Sequence, residues 1–165
     1  MPKVVACGSR DQAFRDFKTA LKQSQPDSFP LLLVDSEDPI TKGSEPWDHL
    51  EQRDKWTKPS KADDKQFHLM VQCMESWFLA DPDTLSQYFG RGFQNSALPK
   101  RRDIENIRKV DVYKLLESAS RNSQKQTYSK GKHSFALLGQ IDPTKVTECS
   151  PFAQRLIDAL KEFTE

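Results

Sequence analysis

The sequence predicts an α/β protein, with a small, mainly parallel sheet flanked by helices and a helical C-terminal half. Three observations carry this. Leu31-Leu32-Leu33-Val34 is an unbroken aliphatic run ending on Asp35, the pattern of a strand buried on both faces. Two further apolar runs, Lys3 to Cys7 and Phe67 to Cys73, flank it at distances that leave room for helical crossovers. Beyond residue 90 the apolar residues recur at helical spacing. A chain of 165 residues buries a sizeable core in one domain, here taken as 1–165, with 1–90 as the sheet core and 91–165 as a helical part packed on it.

The elements follow in order. Lys3-Val4-Val5-Ala6-Cys7 reads as a first strand, and Gly8 turns the chain. Ser9-x-x-Gln12 is a capping box opening a helix whose Ala13, Phe14, Phe17 and Leu21 share one face. Gln25-Pro26-Asp27 ends that helix, and the aliphatic strand follows, closing a right-handed β-α-β unit. Pro46 can open a short helix carrying Trp47 and Leu50, with Trp56 just beyond. The third strand, Phe67 to Cys73, leads straight into Met74-Glu75-Ser76-Trp77. Asp81-Pro82 is an N-cap followed by proline at the first helical position, with Leu85, Tyr88 and Phe89 as the apolar face. Ile104, Ile107, Val112, Leu115, Leu116 and Ala119 keep helical spacing, interrupted around Lys109-Val110-Asp111. Short helices start at Ser134 and at Asp142-Pro143. Ser150-Pro151 caps the last one, whose stripe is Phe152, Leu156, Ala159, Leu160 and Phe163.

Composition narrows the class. The chain is 36% hydrophobic and 30% charged, as in a folded and soluble protein. Its formal net charge of +1 announces no overall basic field, although a local patch is left open. Three widely spaced cysteines without a C-x-x-C pair fit free thiols in a reducing compartment and argue against a structural zinc site. No apolar run approaches the roughly 20 residues of a membrane span, and the start lacks the apolar region of a signal peptide, so a cytoplasmic protein is expected.

Chemistry concentrates where strands end. Asp35 and Glu37 are two apart, so extended backbone would point both the same way, roughly 7 Å apart, into the crevice where α/β sheets bind ligands. That suits one or two hard cations; an acidic turn that merely solubilises a strand end fits equally. Glu75 follows the third strand and would reach the same crevice if that strand lies beside the second, although a first-turn glutamate favoured by the helix dipole explains it as well. Ser9 and Arg10, at a strand-to-helix turn, could hold a phosphate, as could Lys130, Lys132 and His133 beside Gly131. A plain capping box and a solvated basic loop are the competing readings. Core packing is the simpler role for Trp47 and Tyr128.

Several segments together resemble a bacterial family. They are Val4 to Arg10, Leu32 to Glu37, Pro46-Trp47 through Arg53-Asp54-x-Trp56, His68 to Trp77, and Lys130-Gly131-Lys132-His133-Ser134-Phe135. The sequence is identified as a member of the domain-of-unknown-function family 4276, which is related to the TOPRIM fold of primases, topoisomerases and overcoming-lysogenization-defect nucleases. The resemblance implies a TOPRIM-like sheet and Mg²⁺ (or Mn²⁺) bound by an early glutamate and a later Asp-x-Asp pair. Asp35-Ser36-Glu37 stands at the place of that pair, with Glu for the second Asp. It also implies an ABC- or AAA-type ATPase partner, a nucleic-acid substrate and a role in antiviral defence. Family members begin with a further strand ending in a Glu-Gly-Gly-Gly-Asp-like motif, and this sequence starts one β-α unit later. A truncation, a segment supplied by a partner, or a version without catalysis would each account for that.

The expected function is therefore a TOPRIM-like, Mg²⁺-dependent nuclease or nuclease subunit. Asp35, Glu37 and Glu75 would bind metal, and Lys130 and His133 would serve catalysis with them. Ser9, Arg10, Lys130 and Lys132 would contact phosphate. The alternative is a non-catalytic interaction or regulatory subunit of an ATPase-containing complex.

Overall fold

The computed structural model describes residues 3–163. Among them lies a parallel pair of strands, β1 (Leu32–Asp35) and β2 (Phe67–Met70), in register from Leu32 opposite Phe67 to Asp35 opposite Met70. The parallel pairing agrees with the sequence expectation, and its extent does not. Lys3 to Cys7 forms no strand; Val4 and Val5 are 88% and 61% exposed. β-branched residues favour a pleated, half-buried surface, and outside a sheet they have no ladder to join. The third run is also shorter than expected, because the chain leaves β2 after Met70 to enter a 3₁₀ segment, Met74–Ala80.

Helix α1 (Arg10–Gln23) begins at Ser9, whose hydroxyl accepts the Gln12 N–H at 3.2 Å. Only half of the predicted box forms, since the Gln12 Oε1 accepts from Arg15 at 2.9 Å and the Ser9 N–H donates to Cys7 O at 3.1 Å. Phe14, Phe17 and Leu21 are its buried face. Helix α2 (Pro46–Asp54) opens on proline and buries Trp47, His49 and Leu50, ending at Lys55 in the left-handed region. Phe14, Phe17, Leu21, Trp47 and Leu50 join Leu32, Val34, Phe67 and Leu69 in one apolar cluster, in which Trp47 and Phe67 have ring centroids 4.6 Å apart. Leu50, Phe67 and Leu69 have no exposed surface, each contributing about 2–3 kcal/mol of burial.

The helical half builds a second cluster. Helices α3 (Pro82–Phe89), α4 (Lys109–Ser120), α5 (Lys130–Leu138) and α6 (Pro143–Cys149) surround Phe78, Leu85, Phe89, Ile104, Leu116 and Leu137. The interruption before α4 is a 3₁₀ turn at Ile104–Asn106, after which the helix starts afresh at Lys109. Helix α7 (Pro151–Glu162) returns to the strand side, where Arg155 donates to the Asp64 carbonyl and Lys65 pairs with Glu162 at 2.7 Å. Val71 belongs to the first cluster and Cys73 to the second, so the chain crosses between cores within three residues.

A buried acidic site where two cores meet

The crossing places carboxylates from both halves together. Asp35 ends β1, and its Oδ1 accepts the Met74 N–H at 2.8 Å. Glu75 sits in the first turn of the 3₁₀ segment with no exposed surface. Its Oε1 accepts the Tyr128 hydroxyl at 3.0 Å and lies 3.6 Å from Lys130 Nζ, while Oε2 is buried without a hydrogen-bond partner among the described residues. Lys130 Nζ also donates to the Tyr113 hydroxyl at 3.4 Å.

Burial is the main influence on Asp35, Tyr113, Tyr128 and Cys73. It pushes the Asp35 carboxyl above the ordinary range, with help from the charges of Glu75 and Glu37; Lys130 and the Met74 N–H oppose it. Burial, then the Glu75 charge, raises both the Tyr113 and Tyr128 phenols, so each remains a hydrogen-bond donor near neutral pH. Cys73, beside this cluster, is pushed up to about 11 by burial, which leaves it a thiol and not a nucleophile.

Glu37 departs from the expected geometry. The ladder continues past β1 through the Ser36 N–H to Met70 O and the Glu37 N–H to Gln72 O, at 3.0 and 2.8 Å. Glu37 itself has φ +65°, a left-handed conformation that non-glycine residues seldom adopt. This breaks the two-residue alternation that would have aimed Asp35 and Glu37 together. The Glu37 carboxylate is instead ion-paired to Lys109, the first residue of α4. Gln72 braces that helix start by accepting the Lys109 N–H at 3.1 Å.

Asp35, Glu75 and Lys130 are thus brought together, with Glu37 beside them on its own lysine. His133 is turned away: its ring is buried among Tyr88, Phe89 and Tyr128, with centroids 5.4–6.0 Å distant. Its Nδ1 accepts the Ser129 N–H at 2.9 Å, and burial lowers its pKa, so it is a neutral packing residue that holds the start of α5. Arg10 is committed to Asp54 at 2.6 Å and lies over the Trp56 ring, and Ser9 is spent on the helix cap. Lys132 is exposed, one residue beyond Gly131. Trp47 packs in the core as expected, whereas Tyr128 is buried and also serves Glu75. Lys109, Tyr113 and Tyr128 escaped prediction as site residues. The signal for the first two was their spacing of four at a helix start, which puts both on one face.

Among the described residues no group of three His, Cys, Asp or Glu side chains is placed to hold a metal ion. Two carboxylates are nevertheless suited to an oxygen-preferring dication. Asp35 and Glu75 repel one another across the site, and Glu75 Oε2 lacks a partner; Mg²⁺ takes one or two carboxylates and fills its remaining positions with water or phosphate oxygens. Glu37 would join only by leaving Lys109.

A family model described as Domain of unknown function (DUF4276) matches residues 2–161. No curated protein and no solved structure matches the chain. No helix among the described residues is long and apolar enough to cross a membrane. With the match spanning nearly the whole sequence, this α/β chain belongs to the DUF4276 family.

Proposed function

We propose that the chain is a TOPRIM-like, Mg²⁺- or Mn²⁺-dependent nuclease, or the nuclease subunit of an ATPase-containing antiviral system, acting on nucleic-acid phosphodiester bonds in the cytoplasm. The observation that carries this reading is Glu75. It is a fully buried carboxylate with one oxygen unpartnered, facing Asp35 at the carboxyl end of a parallel strand and a lysine on the far side. A purely structural side chain buried there would have both oxygens satisfied, and Oε2 finds no partner among the described residues.

A bound dication would supply an activated water and neutralise charge on the leaving oxygen. Asp35 and Glu75 would hold it. Lys130, half-exposed at the rim, would take a phosphate oxygen while Tyr113 and Glu75 orient its ammonium group. Tyr128 fixes Glu75 by donating to Oε1, which leaves Oε2 available to a ligand. Lys109 holds Glu37 as a reserve acid beside the metal position.

The test combines Mn²⁺ binding by calorimetry with cleavage of end-labelled DNA and RNA by wild type, Asp35→Asn and Glu75→Gln. Loss of at least about 100-fold in metal-dependent cleavage in both variants is expected. Unchanged cleavage in both would sink the reading. A second reading, a regulatory subunit that binds an ATPase without catalysis, draws on the lysines: the chain's own ammonium groups already stand against Glu37 and Glu75. It predicts no Mn²⁺ binding at Asp35 and no cleavage by any variant.

A further inference from the structure

The near-neutral net charge conceals a strong segregation. Residues 84–102 carry Arg91, Lys100, Arg101 and Arg102 and no acid; residues 118–141 carry Arg121, Lys125, Lys130 and Lys132 and no acid. Those 43 residues hold eight of the 25 Lys and Arg and none of the 24 Asp and Glu, so the rest of the chain is net −7.

The fold lays these two stretches against each other. The Gln94 N–H donates to Ala119 O at 2.8 Å, the Gln124 N–H to Arg91 O at 2.9 Å, and the Lys125 N–H to Phe89 O at 3.3 Å. Gly92 makes the approach possible: at φ +89°, a β-carbon there would stand 2.0 Å from Asn122 O. Arg101 and Arg102 are neutralised by Asp103 and Glu148. Arg91, Arg121, Lys125 and Lys132 are exposed and form no salt bridge among the described residues. Lys125 covers the Tyr88 ring at 4.9 Å, and Lys132 leans on the Gln126 amide at 3.4 Å. Glu117, one turn before Arg121, is the acid at the border.

The patch runs into the site. Lys130 and Lys132 share the first turn of α5, and Lys130 is the residue against Glu75. One turn beyond Lys132, Phe135 is 76% exposed. An exposed aromatic ring beside a row of unpaired cations suits unpaired bases, which stack while the cations follow their backbone. Paired bases in a duplex offer no such face. One isolated phenylalanine is too little apolar surface for membrane insertion.

We propose that Arg91, Arg121, Lys125 and Lys132, with Phe135, form a track that binds a single nucleic-acid strand and leads it to the Glu75 site. The inference rests on the phosphodiesterase reading only for where the strand leads; binding along the track requires no metal.

The experiment measures fluorescence anisotropy of a labelled 30-nucleotide oligothymidylate and a 30-base-pair duplex in EDTA, where no cleavage intervenes. Four phosphate contacts give a log–log salt slope of about −3, so affinity should fall about 50-fold between 50 and 200 mM salt. Arg121→Gln/Lys125→Gln/Lys132→Gln should weaken binding at least about 10-fold and reduce the slope by about 2. Lys22→Gln/Lys42→Gln/Lys61→Gln, with the same charge change elsewhere, should shift affinity less than about 3-fold. Phe135→Ala should weaken single-strand binding at least about 5-fold. All the altered side chains are exposed, and matching melting curves confirm folding. Equal losses in the two triple variants, duplex binding as tight as single-strand binding, or patch-dependent binding to phosphatidylserine vesicles without oligonucleotide binding would each overturn the proposal. Failure of cleavage with the track intact would remove the catalytic reading alone.

Discussion

Asp81→Asn tests how the Glu75-bearing segment is anchored. Asp81 closes the 3₁₀ segment and caps α3, and its side chain has no meaningful exposure. Its two oxygens accept from the Thr84 hydroxyl at 2.6 Å, the Thr84 N–H at 3.3 Å, the Asp142 N–H at 3.0 Å and Lys145 Nζ at 2.7 Å. The residue therefore ties the segment to the start of α6. Burial alone would raise its pKa, but those hydrogen bonds pull it down to about 2 from 3.8. At 1.36 kcal/mol per unit, the ionised form contributes about 2.5 kcal/mol of stability near neutral pH. The folded pKa is depressed, so that stability is complete above the unfolded value and is lost as pH falls from about 4 through about 2. Asparagine keeps the shape but presents an N–H₂ group to donors, so a loss of about 3 kcal/mol is expected at pH 7. Urea unfolding of both proteins between pH 7 and pH 2.5 reads it. The gap should be widest above pH 5 and narrow steadily below pH 4. A gap under about 1 kcal/mol at pH 7, or one that ignores pH, would refute the anchoring role.

His68 is buried with Nε2 against Lys65 O at 2.9 Å, and burial lowers its pKa to about 4. The folded state therefore resists protonation, and about 3 kcal/mol of stability should disappear as pH falls from 6.5 to 4; His68→Gln should flatten that limb of a urea titration. Tyr128→Phe removes the hydroxyl that donates to Glu75 and should cost about 2 kcal/mol in chemical denaturation, while Phe135→Ala on the surface costs less than about 0.5. Gly92→Ala forces a β-carbon to 2.0 Å from Asn122 O in a left-handed backbone and should destabilise by about 3 kcal/mol or more, measured by thermal melting.

Much of the scaffold was legible in the sequence. Leu31 to Val34 named a parallel strand because an unbroken aliphatic run has no polar face to show, although in Leu32–Asp35 only Leu32 and Val34 are buried. Asp81-Pro82 and Asp142-Pro143 declared helix starts through local capping chemistry that needs no tertiary partner. Lys3 to Cys7 misled for the opposite reason: a strand exists only through its neighbour, and an apolar run does not name one. Glu75 stands beside Asp35, as expected where the third run lies against the second, but Glu37 does not point there with them. Reading Asp35 and Glu37 as a pair assumed extended backbone through Ser36, and the left-handed turn at Glu37 depends on hydrogen bonding to Gln72, which lies far along the sequence. Lys109 and Tyr113 reach the site through the packing of α4, and the basic patch forms only when residues 89–94 meet 119–125.

The division into two apolar clusters has a mechanical consequence. Asp35 rides on the strand side, while Glu75, Lys109, Tyr113, Tyr128 and Lys130 ride on the helical side or on the crossing that leads to it. A few hydrogen bonds bridge the joint, among them Met74 to Asp35 and Lys109 to Glu37. A ligand gripping carboxylates from both sides would act as a rivet, melting the two halves as one unit. Without it, a twist of one half on the other would first be felt as a change in the gap between Asp35 and Glu75.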